Sequence, residues 1–205
     1  MKLDLSFFGE NHPSVASGYY NIGYVYFAQG DYSKALEYFE EVLKIRLSVY
    51  GENHSRVASV YNDIGEIYSV QGDDFKALDY FKKSLKIVLS VYGENHSQVS
   101  SIYDHIGEIY FAQKDYSKAL YYFEESLKIR LSLFGENHPE VALSYYSIGS
   151  LYIIQGDKSK ALNYYEKSLK IRLSVYGENH PLTKEIMDLI NVANSKVLQS
   201  PETTK

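Results

Sequence analysis

The sequence predicts an all-α protein, a solenoid of antiparallel helix pairs, and three observations carry that prediction. The tetrapeptide GENH begins at Gly9, Gly51, Gly93, Gly135 and Gly177, so the chain repeats itself with a constant period of 42 residues. Within each period, apolar residues recur at helical spacing in two stretches parted by a polar turn, QGDYSKA in the first copy. A single pair of such helices could not bury its apolar side alone, whereas stacked neighbours share one continuous core.

Four full units run 9–50, 51–92, 93–134 and 135–176. In the first unit one helix is expected from about residue 13 to residue 28, and a second from the polar turn to about Tyr50. Pro13, Pro139 and Pro181 suit the opening turn of a helix, where a missing N–H costs nothing, and Asn or His just before them can cap it. Gly30, Gly72 and Gly156 end the first-helix pattern, and Asp31, Asp73, Asp115 and Asp157 lead into the second. Lys114 replaces the glycine in the third unit, so that turn is expected to tolerate a side chain through a slightly different geometry. Tyr19, Ile22, Gly23 and Tyr26 share one side of the first helix, as do Tyr61, Ile64, Gly65 and Tyr68 one period later. The second helix offers the stripe Ala35, Leu36, Phe39, Leu43 and Leu47. Small residues at Gly23 and Ala35 permit a close helix crossing.

Both ends carry traces of the repeat. Residues 1–8 align with the end of a second helix (KLDLSFF against KIRLSVY) and read as the remnant or truncated end of a preceding repeat helix. Residues 177–199 read as a terminal capping helix, with Met187 and Leu189 shielding the preceding apolar face, and 200–205 as a flexible tail.

Composition narrows the function classes. Hydrophobic residues at 45% and charged residues at 23% suit a folded chain rather than a disordered one. A net charge of -5 without a basic cluster argues against a nucleic-acid partner. The lack of cysteine removes disulfides and thiolate chemistry. No apolar run approaches membrane-spanning length, and MKLDLSFFGENH lacks the apolar core and cleavage signal of a secretory leader. A soluble cytoplasmic protein with no membrane partner is the expectation.

The glycines at Gly23, Gly65, Gly107 and Gly149, the tyrosine three residues after each, and Ala35, Ala77, Ala119 and Ala161 resemble the tetratricopeptide repeat. The period of 42 exceeds that family's usual length of about 34 and implies longer helices. Within the superfamily the chain is similar to the variant of kinesin light chains, through GENHPEVA at 135–142, IGYVYFAQGDYSKAL at 22–36 and LKIRLSVYG at 43–51. This resemblance implies a right-handed superhelix with first-helix residues lining its inner groove, and a role as a protein-interaction scaffold or adaptor.

The resemblance and helical spacing together place candidate groove residues. The first unit offers Tyr20, Asn21, Tyr24 and Phe27, with Ser17 beside them. The second offers Asn62, Asp63 and Glu66, with Ser59 and Ser69. From the third come Asp104, His105, Glu108 and Phe111, with Ser101; from the fourth, Tyr146, Ser147 and Ser150, with Leu143 and Ile153. The copies differ more here than at packing positions, as a groove reading an irregular peptide requires. Asp63, Glu66, Asp104 and Glu108 concentrate like charge on adjacent helices and favour a cationic partner. Tyr20, Tyr24, Phe27, Phe111 and Tyr146 could supply flat apolar contact on either side. The expected ligand is a peptide bearing Lys or Arg beside an apolar anchor. The inward lysines and arginines of carboxylate-gripping relatives are missing, and Asp63, Asp104 and His105 put in doubt the acidic cargo that kinesin light chains accept.

Other classes are weighed against this one. His105 beside Asp104, with Glu108 one turn on, could be offered as an acid–base group, yet no nucleophile, phosphate-binding loop or metal motif accompanies it. No enzyme activity, cofactor or metal is expected, and the repeated GENH histidines read as helix punctuation. A structural spacer, or self-association through an exposed solenoid end around Leu3, Leu5, Phe7 and Phe8, is the remaining alternative.

Overall fold

The computed structural model describes residues 12–195, and these are helix joined by short turns. In order they form α1 (Pro13–Ala28), α2 (Tyr32–Tyr50), α3 (Ser55–Val70), α4 (Asp74–Tyr92), α5 (Ser97–Ala112), α6 (Tyr116–Phe134), α7 (Pro139–Ile154), α8 (Lys158–Tyr176) and α9 (Pro181–Ser195). The expected helix remnant at 1–8, with Leu3, Leu5, Phe7 and Phe8, lies outside the described residues, as do 196–199 and the tail at 200–205.

The chain divides into two compact units, Met1–Ile109 and Tyr110–Lys205. In the first, α1 pairs with α2, α3 pairs with α4, and α2 packs on α3. In the second, α7 pairs with α8, α6 packs on α7, and α9 covers α8. Each is an all-α arrangement of helix pairs in which a second-type helix lies between two first-type helices. The core of the first unit shows the consequence: Ala35, Phe39, Val42 and Ile45 of α2 meet Val15 and Ala16 of α1 and Val60, Ile64 and Ile67 of α3.

That sandwich widens the expected α2 stripe. Ala35 and Phe39 are fully buried, but Leu36, Leu43 and Leu47 are only half-buried, and Val42 and Ile45 take the central positions. A helix covered on two sides needs a wider apolar arc than one facing a single partner. The close crossing expected at Gly23 also has a different partner. A Cβ at Gly65 would stand 2.8 Å from Phe81 Cε1, and one at Gly149 would stand 2.7 Å from Tyr165 Cδ1. The glycine makes room for the aromatic ring of the paired helix, more than for the small residue one turn earlier.

The repeated polar residues hold the turns. Asp31, Asp73, Asp115 and Asp157 cap α2, α4, α6 and α8 by accepting from the backbone N–H of Lys34, Lys76, Lys118 and Lys160 at 3.1–3.3 Å. The same lysines extend over Tyr26, Tyr68, Tyr110 and Tyr152, tying each cap to the preceding helix. GENH closes one pair and opens the next. Gly51, Gly93, Gly135 and Gly177 leave their helices at φ between 75° and 79°, where a side chain is strained. His54 Nδ1 then accepts from the Arg56 N–H at 3.1 Å while its ring stacks on Tyr50 at 4.6 Å. His96, His138 and His180 repeat both contacts. Lys114 departs from its expectation: it adopts φ 63°, the same left-handed turn as the glycines it replaces, not a different geometry.

Candidate functional site

In the first unit, helical spacing brings polar first-helix residues of α3 and α5 to one side. Asn62 Nδ2 donates to Glu66 Oε1 at 2.6 Å, and the same oxygen lies 3.8 Å from His105 Nδ1 on the next first-type helix. The His105 ring tilts against Phe81 of α4 at 5.0 Å. Glu66, His105 and Phe81, together with Phe27, Ser69, Val70 and Glu108, line a pocket of about 210 Å³. The lining of this pocket combines two carboxylates, one imidazole and two phenyl rings.

Burial makes this acidity unusual. Desolvation lifts the Glu66 carboxyl above its ordinary range, opposed by the Asn62 amide. Glu108 is raised by partial desolvation, then by the charges of Asp104 and Glu66. Asp63 is pushed up to about 7, chiefly by desolvation, with Glu66 adding to the effect and Tyr20 and Arg46 opposing it. Asp63 Oδ2 and Asn62 Oδ1 are both buried without a hydrogen-bond partner, a costly state for acceptors. Tyr20 is itself raised by burial and by the neighbouring Asp63.

Sequence reasoning missed the arginines of the second helices. Arg46, from LKIRLS on α2, lies over the Tyr20 ring at 5.0 Å. It donates to the Arg56 carbonyl at 2.7 Å and to Ser59 Oγ at 2.9 Å. In the second unit Arg172 lies over Tyr146 at 5.1 Å, donates to the Leu182 carbonyl at 2.6 Å and meets Glu185 Oε2 at 3.4 Å. Arg130 donates to Ser144 Oγ at 2.8 Å and pairs with Glu140 at 2.9 Å. Tyr20 and Tyr146 thus already carry an arginine on one face, which reduces the flat surface they offer. The signal that could have found these residues is periodic: positions 46, 130 and 172 are arginine, and position 88 is valine.

The other candidates are placed as follows. Asn21 is exposed and lines a separate shallow pocket with Ile22, Val25 and Tyr26. Tyr24 is 59% exposed and its ring lies 6.4 Å from that of Phe27; Phe27 also packs on Tyr32. Asp104 is half-buried on α5 beside His105. In the second unit Phe111 meets the edge of Tyr116 at 5.9 Å, and Ser147 is half-buried. Ser150 donates to the Tyr146 carbonyl and approaches the Tyr165 hydroxyl at 3.2 Å. Among the described residues no group of three or more His, Asp or Glu could hold a metal ion, and no helix is long and apolar enough to cross a membrane.

Helix pairs with aspartate-capped turns, glycine-to-aromatic crossings and variable polar residues on the first helices define a helical-repeat protein of the kind consistent with peptide and protein scaffolds. The Tetratricopeptide repeat family matches at residues 2–48, 14–90, 56–132 and 98–174, and the chain belongs to that family. A search of curated proteins finds no match. Among solved structures the chain is similar to BtubC (BKLC) from P. vanneervenii, with a TM-score of 0.75 at 18% identity over 100% of this chain and 89% of that one. It is also similar to the nearly identical TPR-like repeats of a putative kinesin light chain from Podosopora anserina, with a TM-score of 0.70 at 16% identity over 92% and 99%. The apo form of RapI aligns with a TM-score of 0.75 at 18% identity over 89% and 64%.

Proposed function

We propose that this protein is an interaction scaffold whose first unit binds a peptide carrying basic side chains beside an apolar anchor. One observation carries the reading: the Glu66 and Glu108 carboxyl groups share one pocket with the His105 imidazole and the Phe81 ring. A cation arriving there relieves the repulsion between the two carboxylates. Phe27, Phe81 and Val70 beside Glu66 and Glu108 supply the apolar surface for the anchor. The family membership and the likeness to kinesin light chain repeats support a scaffold role at the level of fold.

A peptide-library selection tests the reading, run on the original chain and on a form with Asp63→Asn, Glu66→Gln, Asp104→Asn and Glu108→Gln. The original chain is expected to enrich Lys- and Arg-containing sequences, and the neutralised form to lose about tenfold or more in affinity for them. Affinity should also fall with added salt. Enrichment of acidic peptides, or equal binding by both forms, overturns the proposal.

A further inference from the structure

The second-helix arginine acts as an internal plug between neighbouring repeats. Arg46 leaves α2, crosses the Tyr20 ring of α1, and ends on the Arg56 carbonyl and Ser59 hydroxyl of α3. Arg172 follows the same path from α8 over Tyr146 of α7 to the Leu182 carbonyl and Glu185 of α9. One period after Arg46, both halves of this arrangement shrink together: the arginine becomes Val88, and the tyrosine beneath it becomes Asn62. A cavity of about 110 Å³ remains there, bounded by Asn62, Asp63, Val88, Gln98, Ser101 and Ile102 among others.

The acceptors that would receive the missing guanidinium are still in place. Gln98 and Ser101 are the period-equivalents of Arg56 and Ser59, which accept from Arg46. Ser101 gives its hydroxyl hydrogen to the Ser97 carbonyl at 3.1 Å, so its lone pairs remain available. Asn62 Oδ1 and Asp63 Oδ2 add two buried acceptors without hydrogen-bond partners. The cavity reaches the surface beside Gln98 and Ser101, both exposed. Such a ring of acceptors matches a planar group with five N–H donors better than a compact ammonium.

From this juxtaposition we infer that the cavity beside Val88 is a socket for an arginine side chain of the bound peptide, supplied in trans where the neighbouring repeats supply their own. The inference rests on the peptide-binding reading above and specifies one of its contacts.

Titration of the full chain with Nα-acetyl-L-arginine N-methylamide, followed by ¹H–¹⁵N NMR, tests it. Saturable shifts are expected at the Asn62 side-chain amide and at the backbone amides of Gln98, Ser101 and Ile102. The citrulline analogue, of the same shape without charge, should leave them unmoved, and the lysine analogue should bind several-fold more weakly. Val88→Arg restores the internal plug and should abolish the shifts while the spectrum stays dispersed. Asp63→Asn is the second variant, expected to weaken the titration about tenfold. Equal shifts with citrulline, unchanged binding by Val88→Arg, or shifts confined to the pocket around Glu66 and His105 each overturn the socket. Basic peptides that bind the original and Val88→Arg proteins equally overturn it while leaving the acidic-face reading intact. Failure of every basic peptide in the library sinks that reading, whereas the amino-acid titration still judges the socket by itself.

Discussion

The repeat containing Val88 and the repeat containing Arg172 share one backbone plan and reach opposite electrostatic states. In the second unit, Arg172 neutralises Glu185, satisfies the Leu182 carbonyl and covers Tyr146, leaving the junction between α8 and α9 filled. In the first, Val88 leaves Asp63 facing a cavity, with Arg46 the one cation among the causes of its shifted proton affinity. The helices, caps and glycine crossings are the same. Between these repeats Tyr146 gives way to Asn62, Ser147 to Asp63 and Arg172 to Val88, and Glu185 of the following helix to Ser101, so a repeat protein changes its surface chemistry by exchanging side chains while the helical plan that carries the fold is kept. Stability and binding capacity are expected to trade against each other at this position.

Asp63 offers the largest lever on that contrast. Its folded-state pKa of about 7 lies above its ordinary value of 3.8. Between those two values the folded chain holds the proton and the unfolded chain does not. Stability therefore falls as pH rises from about 4 to about 7 and is level above that. Asp63→Asn removes this loss. At pH 8 the variant should be more stable by about 2–4 kcal/mol, the upper figure being the full shift at 1.36 kcal/mol per unit; at pH 3 the gain should vanish. Urea unfolding at the two pH values measures the difference. An equal effect at both would show that Asp63 is not held protonated by the fold.

Exchanging the side chains between the two junctions gives the next effects. Arg172→Val should cost about 2 kcal/mol, because a buried cation with charged and carbonyl partners is lost and Glu185 keeps no counter-charge there. Val88→Arg should do the reverse and stabilise by about 1 kcal/mol at pH 8, with the gain shrinking as Asp63 of the original chain takes up its proton around and below pH 7. Thermal or urea unfolding of both variants checks the pair. If Val88→Arg destabilises at pH 8, the cavity does not accept a guanidinium even from within the chain.

Much of the architecture was legible because period and punctuation are local properties. The helix limits at 13–28 and at Tyr50, the aspartate caps and the helix-ending glycines all follow from residues within one turn of each other. The role of GENH was legible for the same reason. The α2 stripe was incomplete, lacking Val42 and Ile45, because its width depends on burial against two different helices, which no single-helix pattern displays. Of the candidate site, Glu66, His105 and Glu108 line one pocket and Asn62 bonds to Glu66 from beside it, whereas Asn21 lines a separate pocket. The arginines were missed because a long side chain departs far from its backbone position. Arg46 ends on residues ten and thirteen positions ahead in the chain. Comparing the copies column by column, rather than helix by helix, would have exposed Val88.

Lys114 gives the smallest expected effect and sharpens the other side of the comparison, the part of the repeat that tolerates no variation in backbone shape. Gly30, Gly72 and Gly156 turn at φ 77–82°, and Lys114 follows them at 63° although its Cβ is crowded there. The surrounding bonds impose that conformation: the Lys114 N–H donates to the Phe111 carbonyl at 3.0 Å, and the next N–H, of Asp115, returns to Tyr110 at 2.9 Å. The second bond satisfies a helix-end carbonyl and positions Asp115 to cap α6. Relaxing φ at Lys114 would break both bonds, so the strain is retained. Lys114→Gly removes it and should stabilise by about 0.5–1 kcal/mol, the strain relieved being offset in part by the greater freedom of glycine when unfolded. Lys114→Ala should give little or none of that gain, since it keeps the Cβ. If both variants stabilise equally, the lysine charge rather than its backbone angle is the source, and the left-handed turn costs this chain nothing measurable.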